Sequence, residues 1–117
     1  MPHVLETGFE EMEIENPNGS PAIRGYNIIA GKLLQSKDGN TFLSKNPAWL
    51  EDIVGEFPLS TKDDVHEALR AARDAFPSWA ATPAPTRGQV IGNMGRLLME
   101  RKGDLVRLQA REIGKTM

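Results

Sequence analysis

Apolar residues follow two regimes along this chain. Between Tyr26 and Phe57 they come in short clusters separated by turn formers, and between Val65 and Ile113 they recur three or four positions apart. The first regime predicts strands and the second predicts helices. Tyr26-Asn27-Ile28-Ile29-Ala30 and Lys32-Leu33-Leu34-Gln35-Ser36 flank Gly31, which predicts a tight reversal. Asp38-Gly39-Asn40 is a second turn signal. Thr41-Phe42-Leu43-Ser44-Lys45 is a β-prone run that stops at Asn46-Pro47, because proline brings no N–H to a ladder. Ile53-Val54-Gly55-Glu56-Phe57 predicts the next strand, closed by Pro58.

Residues 61–76 give the clearest helix. Val65, Leu69, Ala72 and Phe76 form one stripe, with Lys62, Glu67, Arg70 and Asp74 opposite. Thr61 and Asp64 have the spacing of a capping box, and Pro77 is expected to end the run. A second helix is predicted from about Pro85 to Lys102, carried by Val90, Ile91, Met94, Leu97 and Leu98. A third spans about 104–113, with Asp104 as its N-cap and Gly114 as its C-terminal cap. The expected buried set is Val65, Leu69, Ala72, Phe76, Ile91, Met94, Leu98, Leu105 and Leu108. Leu69→Ala in such a core costs roughly 2–4 kcal/mol.

Charge divides the chain differently. Residues 1–23 hold five glutamates and no Lys or Arg, and end in Asn16-Pro17-Asn18-Gly19-Ser20-Pro21. That composition predicts a mobile acidic tail with little helix or strand. The other residues carry fourteen basic and eleven acidic groups, and the whole 117-residue chain has a net charge of -2. Nothing in that balance demands nucleic acid or an anionic membrane. No run approaches 18 apolar residues, and the first residues lack the basic start and apolar stretch of a signal peptide. A cytoplasmic setting is expected. The chain has no cysteine, which excludes disulfides, zinc-thiolate sites and a cysteine nucleophile within it.

Few motifs carry chemistry. Gly114-Lys115-Thr116 lacks the upstream glycine of a phosphate loop, since Gln109 stands there. Gly88, Gly92 and Gly95 lie in a helical pattern with the wrong spacing for a dinucleotide turn, and are expected to mark close approach to another backbone. Arg107, Arg111 and Lys115 recur every four residues, as a solvated basic helix face. His66, among Asp63, Asp64 and Glu67, is expected at the surface. Trp49 and Trp79 are expected to pack. No nucleophile-base pair or metal cluster assembles, so the residues by themselves predict a small α+β unit.

The order of the pieces resembles the N-terminal region of the aldehyde dehydrogenase superfamily, from about Tyr26 to Met117. The resemblance lies in the Tyr26–Leu34 hairpin, Gly39-Asn40-Thr41-Phe42 with Asn46-Pro47, and Ile53-Val54-Gly55-Glu56-Phe57-Pro58. It continues in Asp63-Asp64-Val65 through Trp79, Thr82-Pro83-Ala84-Pro85-Thr86-Arg87-Gly88, and Arg111-Glu112-Ile113-Gly114-Lys115. It implies an α/β fold: part of an NAD(P)-binding domain over 24–117, with a short-strand meander (26–58) followed by about three helices (61–114).

It also implies an enzyme that oxidises an aldehyde with NAD or NADP through a cysteine thiolate and a glutamate-activated water. Those groups lie downstream in the family, so no catalytic or cofactor-binding residue is carried over, and the chain alone is expected to be inactive. The implied partners are the remainder of such a chain and, at full length, further copies in a homo-oligomer. The wording of the motifs leans toward members acting on ketoglutaric semialdehyde. One minor site is carried over, for a monovalent cation: the carbonyls of Ser44 and Lys45 and the carboxylate of Glu112. Glu112 stands where aspartate is common, and Lys45 adds a positive charge. Read without the resemblance, Glu112 caps or pairs locally. The alternatives to a partial enzyme are a non-catalytic interaction module built from this segment and a small basic-faced nucleic-acid binder.

Overall fold

The computed structural model describes residues 10–115. Six strands come first. They are β1 (Glu10–Met12), β2 (Ala22–Arg24), β3 (Asn27–Ile29), β4 (Lys32–Leu34), β5 (Thr41–Asn46) and β6 (Trp49–Pro58). Three helices follow, α1 (Lys62–Ala81), α2 (Ala84–Glu100) and α3 (Lys102–Ile113). The architecture is that of an α/β chain with two small sheets.

The main sheet has the order β1-β2-β6-β5. β5 and β6 form an antiparallel hairpin closed by Pro47-Ala48, and β2 runs parallel to β6 with Ile23 opposite Gly55. Gly55 is required there, since a Cβ at this position would strike the carbonyl oxygen of Ile23. β3 and β4 form a separate hairpin through Ala30 and Gly31, both at positive φ (51° and 73°). That is the primed turn which matches strand twist.

The acidic stretch over 1–23 is described from residue 10 onward, where it holds β1 and most of β2, two strands of three residues. β1 pairs antiparallel with β2, and Ala22 and Asn16 are buried. Composition alone missed this because the ordering comes from long-range contacts: Asn16 bonds both the N–H and the C=O of Ile53, at 2.8 Å each. The rest of the expected tail, over 1–9, lies outside the described residues.

The helix starts follow local chemistry. Thr61 caps α1 in a reciprocal box with Asp64. α1 nevertheless runs through Pro77 to Ala81, where a break was expected. Pro77 sits near the end, so only a late backbone bond is lost. Thr82 then closes the helix, its N–H and hydroxyl both donating to the Ser78 carbonyl. The break between α2 and α3 falls at Arg101, so Asp104 lies in the first turn of α3 and binds Arg107 at 2.7 Å instead of capping. Gly114 ends α3 at φ 64° as expected.

The expected buried set is corrected. The apolar core among the described residues is Ala22, Ile29 and Val54. Leu69 is 62% exposed and Phe76 is 67% exposed, and Val65, Ala72, Ile91, Met94, Leu98 and Leu105 are exposed as well. Leu108 is half-buried. Periodicity identified the apolar faces of α1 and α2 correctly, but no described element covers them. The Cα radius of gyration, 16.9 Å, exceeds the roughly 13 Å of a compact chain of this size. Val54→Ala should therefore lower stability in urea titrations by roughly 2–3 kcal/mol. Leu69→Ala should change it by no more than about 0.5 kcal/mol.

Candidate functional site

The C-terminal end of α3 lies against the β5–β6 turn, and the reason is a buried ion pair. Asp52 on β6 is fully buried. Its carboxylate accepts from Arg111 Nε at 3.1 Å and from an Arg111 terminal nitrogen at 2.7 Å. Two further Arg111 donors reach the carbonyls of Pro21 (2.9 Å) and Ile53 (3.0 Å). Asn46 Nδ2 donates to the same carboxylate at 3.1 Å, while Asn46 Oδ1 accepts from the Ala48 N–H at 3.0 Å. Among the described residues no buried side-chain nitrogen or oxygen lacks a partner. Gly114 completes the contact: a Cβ there would come within 2.9 Å of the Ala48 nitrogen.

This junction brings together two of the three residues expected at a cation site. Ser44 Oγ lies 3.4 Å from Glu112 Oε1, across 68 positions of sequence. Lys45 follows Ser44 on β5, is exposed, and faces Ile53 across the ladder. The β5–β6 register is irregular at Ser44/Lys45 and at Lys45/Asn46. Irregular pairing is where backbone groups leave the ladder and become available to other partners. Carbonyl, hydroxyl and carboxylate oxygens form a donor set for a hard cation. Among the described residues no three His, Asp or Glu side chains cluster as a metal site.

Other sequence candidates separate. His66 is exposed, and its neighbours are engaged elsewhere: Glu67 pairs with Lys37 at 3.1 Å, and Asp64 binds Thr61 and the Lys37 N–H. Gly88, Gly92 and Gly95 face open space, which corrects the expected close backbone approach. The basic stripe is solvated at Arg107 and Lys115 as expected, and only Arg111 departs from it. Arg107 is bound to Asp104, and Arg111 points into the protein rather than to solvent. Trp49 and Trp79 are each about two-fifths exposed, so their packing is partial.

Residues 34–117 match the family model described as the aldehyde dehydrogenase family. The chain belongs to that family. It is 37% identical over 90 residues to malonate-semialdehyde dehydrogenase 2 of Geobacillus kaustophilus, covering 77% of this chain and 18% of that relative. It is 34% identical over 95 residues to the 2,5-dioxopentanoate dehydrogenase of Saccharolobus solfataricus, covering 81% and 20%. Malonate-semialdehyde dehydrogenase of Bacillus pumilus is 36% identical over 91 residues, covering 78% and 18%. The chain thus spans about a fifth of the length of these aldehyde dehydrogenases. The matched family region holds Ser44, Asp52, Arg111 and Glu112, while Pro21 and Asn16 precede it.

No helix among the described residues is long and apolar enough to cross a membrane. Sequence reasoning found Ser44 and Glu112 only through the family resemblance, and it missed Asp52 and Arg111 as partners. The available signal was an aspartate next to the apolar Ile53-Val54 run. Such a residue either stays outside the strand or finds a cation within reach.

Asp38, Asp52, Glu56 and Asp64 are all held below their ordinary pKa values, and Asp52 and Asp64 are the buried pair among them. The Arg111 hydrogen bonds hold Asp52 below its ordinary 3.8, against the opposing effect of burial. The Thr61 N–H does the same for Asp64, again against burial. A depressed folded pKa stabilises the protein above the unfolded value and loses that contribution as pH falls through the folded one. Urea midpoints should therefore hold near neutrality and drop once pH passes below about 3.8. Asp52→Asn should flatten that drop, and should lower stability at pH 7 by roughly 3–5 kcal/mol because Arg111 is left unpaired.

Proposed function

We propose that this chain supplies the first part of the cofactor-binding domain of an NAD- or NADP-dependent semialdehyde dehydrogenase. The observation that carries this reading is the family match over 34–117, combined with relatives named for short acidic semialdehydes. Malonate semialdehyde and 2,5-dioxopentanoate are accordingly the substrates to try first. The whole protein would oxidise the aldehyde with a nicotinamide cofactor, which takes the hydride. The thiolate such chemistry uses must lie outside these residues, because the sequence contains no cysteine. Freedom from cysteine is compatible with the cytoplasmic setting this reading assumes.

The partner in this reading is the remainder of a dehydrogenase chain, assembled further as a homo-oligomer. The exposed apolar faces of α1 and α2 support it. Val65, Leu69 and Phe76 on α1, and Ile91, Met94 and Leu98 on α2, expose more apolar surface than a solvated helix pair needs. Ser44 and Lys45 carbonyls with Glu112 would hold a monovalent cation at the α3 junction. The same exposed faces also favour a second reading, a non-catalytic interaction module.

Complementation separates the two readings. The Geobacillus kaustophilus relative, lacking its matching first fifth, should regain NAD or NADP reduction with malonate semialdehyde when this chain is added. The 117-residue chain alone should give no turnover above a buffer blank. Binding without regained turnover would favour the interaction module, and turnover by the chain alone would overturn the proposal.

A further inference from the structure

The cation reading leaves open what sets the distance between its two halves, which come from strand β5 and helix α3. We propose that the buried Asp52–Arg111 pair, extended through Asn46, is the positioning element of that site. It holds the backbone at Ser44–Lys45 at a fixed spacing from the Glu112 carboxylate. This inference rests on the cation reading above.

The covalent paths are short. Glu112 follows Arg111 directly on α3, and Lys45 precedes Asn46 directly on β5. Arg111 meets Asp52 through two parallel bonds, at 2.7 and 3.1 Å, and such a fork fixes orientation as well as distance. Two further bonds, to the Pro21 and Ile53 carbonyls, hold the guanidinium in that plane. Asn46 is held at both ends of its amide, by Asp52 and by the Ala48 N–H. One peptide link therefore joins each half of the site to a side chain anchored on the same carboxylate.

Charge supports the assignment. An unpaired guanidinium one residue from Glu112 would repel a bound cation. Asp52 neutralises it, so Glu112 contributes its negative charge to the site without that opposition.

The test uses the full chain and sodium chloride, with sodium NMR line broadening followed at constant ionic strength in choline chloride and potassium chloride as competitor. Glu112→Gln removes a ligand and should abolish saturable broadening. Arg111→Lys keeps the charge but loses the fork, and Asn46→Ala cuts the link to the turn. Each should weaken sodium binding roughly tenfold and alter the sodium-to-potassium preference. Far-UV circular dichroism should remain that of the parent chain. If Arg111→Lys loses its helix signal, Asn46→Ala decides the matter, because Asn46 lies near the surface. Loss of binding in Glu112→Gln with unchanged affinity and preference in the other variants overturns the positioning role alone. A parent chain without saturable broadening, or Glu112→Gln binding like the parent, overturns the cation reading and the positioning role with it.

Discussion

A single fully buried carboxylate organises the half of this protein built from the main sheet and α3. Burying Asp52 without compensation would cost several kcal/mol, and the charge is tolerated because three donors converge on it. Two come from Arg111, 59 positions later, and one from Asn46. The guanidinium in turn reaches Pro21, 90 positions before it. One ion pair thus ties α3, the β5–β6 hairpin and the N-terminal segment into one unit. The apolar core beside it is small, so these directional contacts take an unusually large share in specifying the arrangement. Replacing one partner would leave the other buried and unpaired, which is why the pair behaves as a junction rather than as an ordinary surface contact.

The rest of the helical half is built differently. α1 is tethered at its N-terminus, where the Asp64 carboxylate serves the Thr61 cap and the Lys37 N–H together. Beyond that point its apolar stripe runs outward over solvent. α2 touches α3 but buries no residue. Its Arg96–Glu100 pair is exposed and adds little to stability. The two halves therefore follow different rules. The sheet and α3 are held by tertiary bonds, whereas α1 and α2 rely on capping, helix propensity and whatever covers their faces in the family fold.

That division also explains what was legible in the sequence. Features made by neighbours in sequence were readable: the Thr61–Asp64 box, the Ala30–Gly31 reversal, the Gly39 turn and the Gly114 cap. So were the apolar faces of the helices. Features made by distant partners were not. β1 and β2 are three residues each and rank low on β-propensity, and they exist because Asn16 and Gly55 let the chain lie against β6. The strand expected over 53–57 begins four residues earlier, at Trp49, and takes in Asp52, whose charge Arg111 meets. The buried set failed for the complementary reason. A 3.6-residue period says which side of a helix is apolar but not whether another element covers that side.

The Ser44–Glu112 pairing stands between these cases. Neither residue has a local signal, and the resemblance alone placed them together. The fold brings them to 3.4 Å, next to an ion pair that the resemblance did not mention. The length of that contact matters. A hydroxyl satisfying a carboxylate sits nearer 2.7 Å, so Ser44 leaves most of the accepting capacity of Glu112 unused. Glu112 is exposed, and the guanidinium next to it in sequence is held by Asp52 and two carbonyls. The carboxylate thus has spare lone pairs and stands beside an irregular stretch of ladder. A simple local salt bridge would instead place Arg111 or Lys45 on Glu112. Arg111 turns away to the buried aspartate, and that turn makes the carboxylate available.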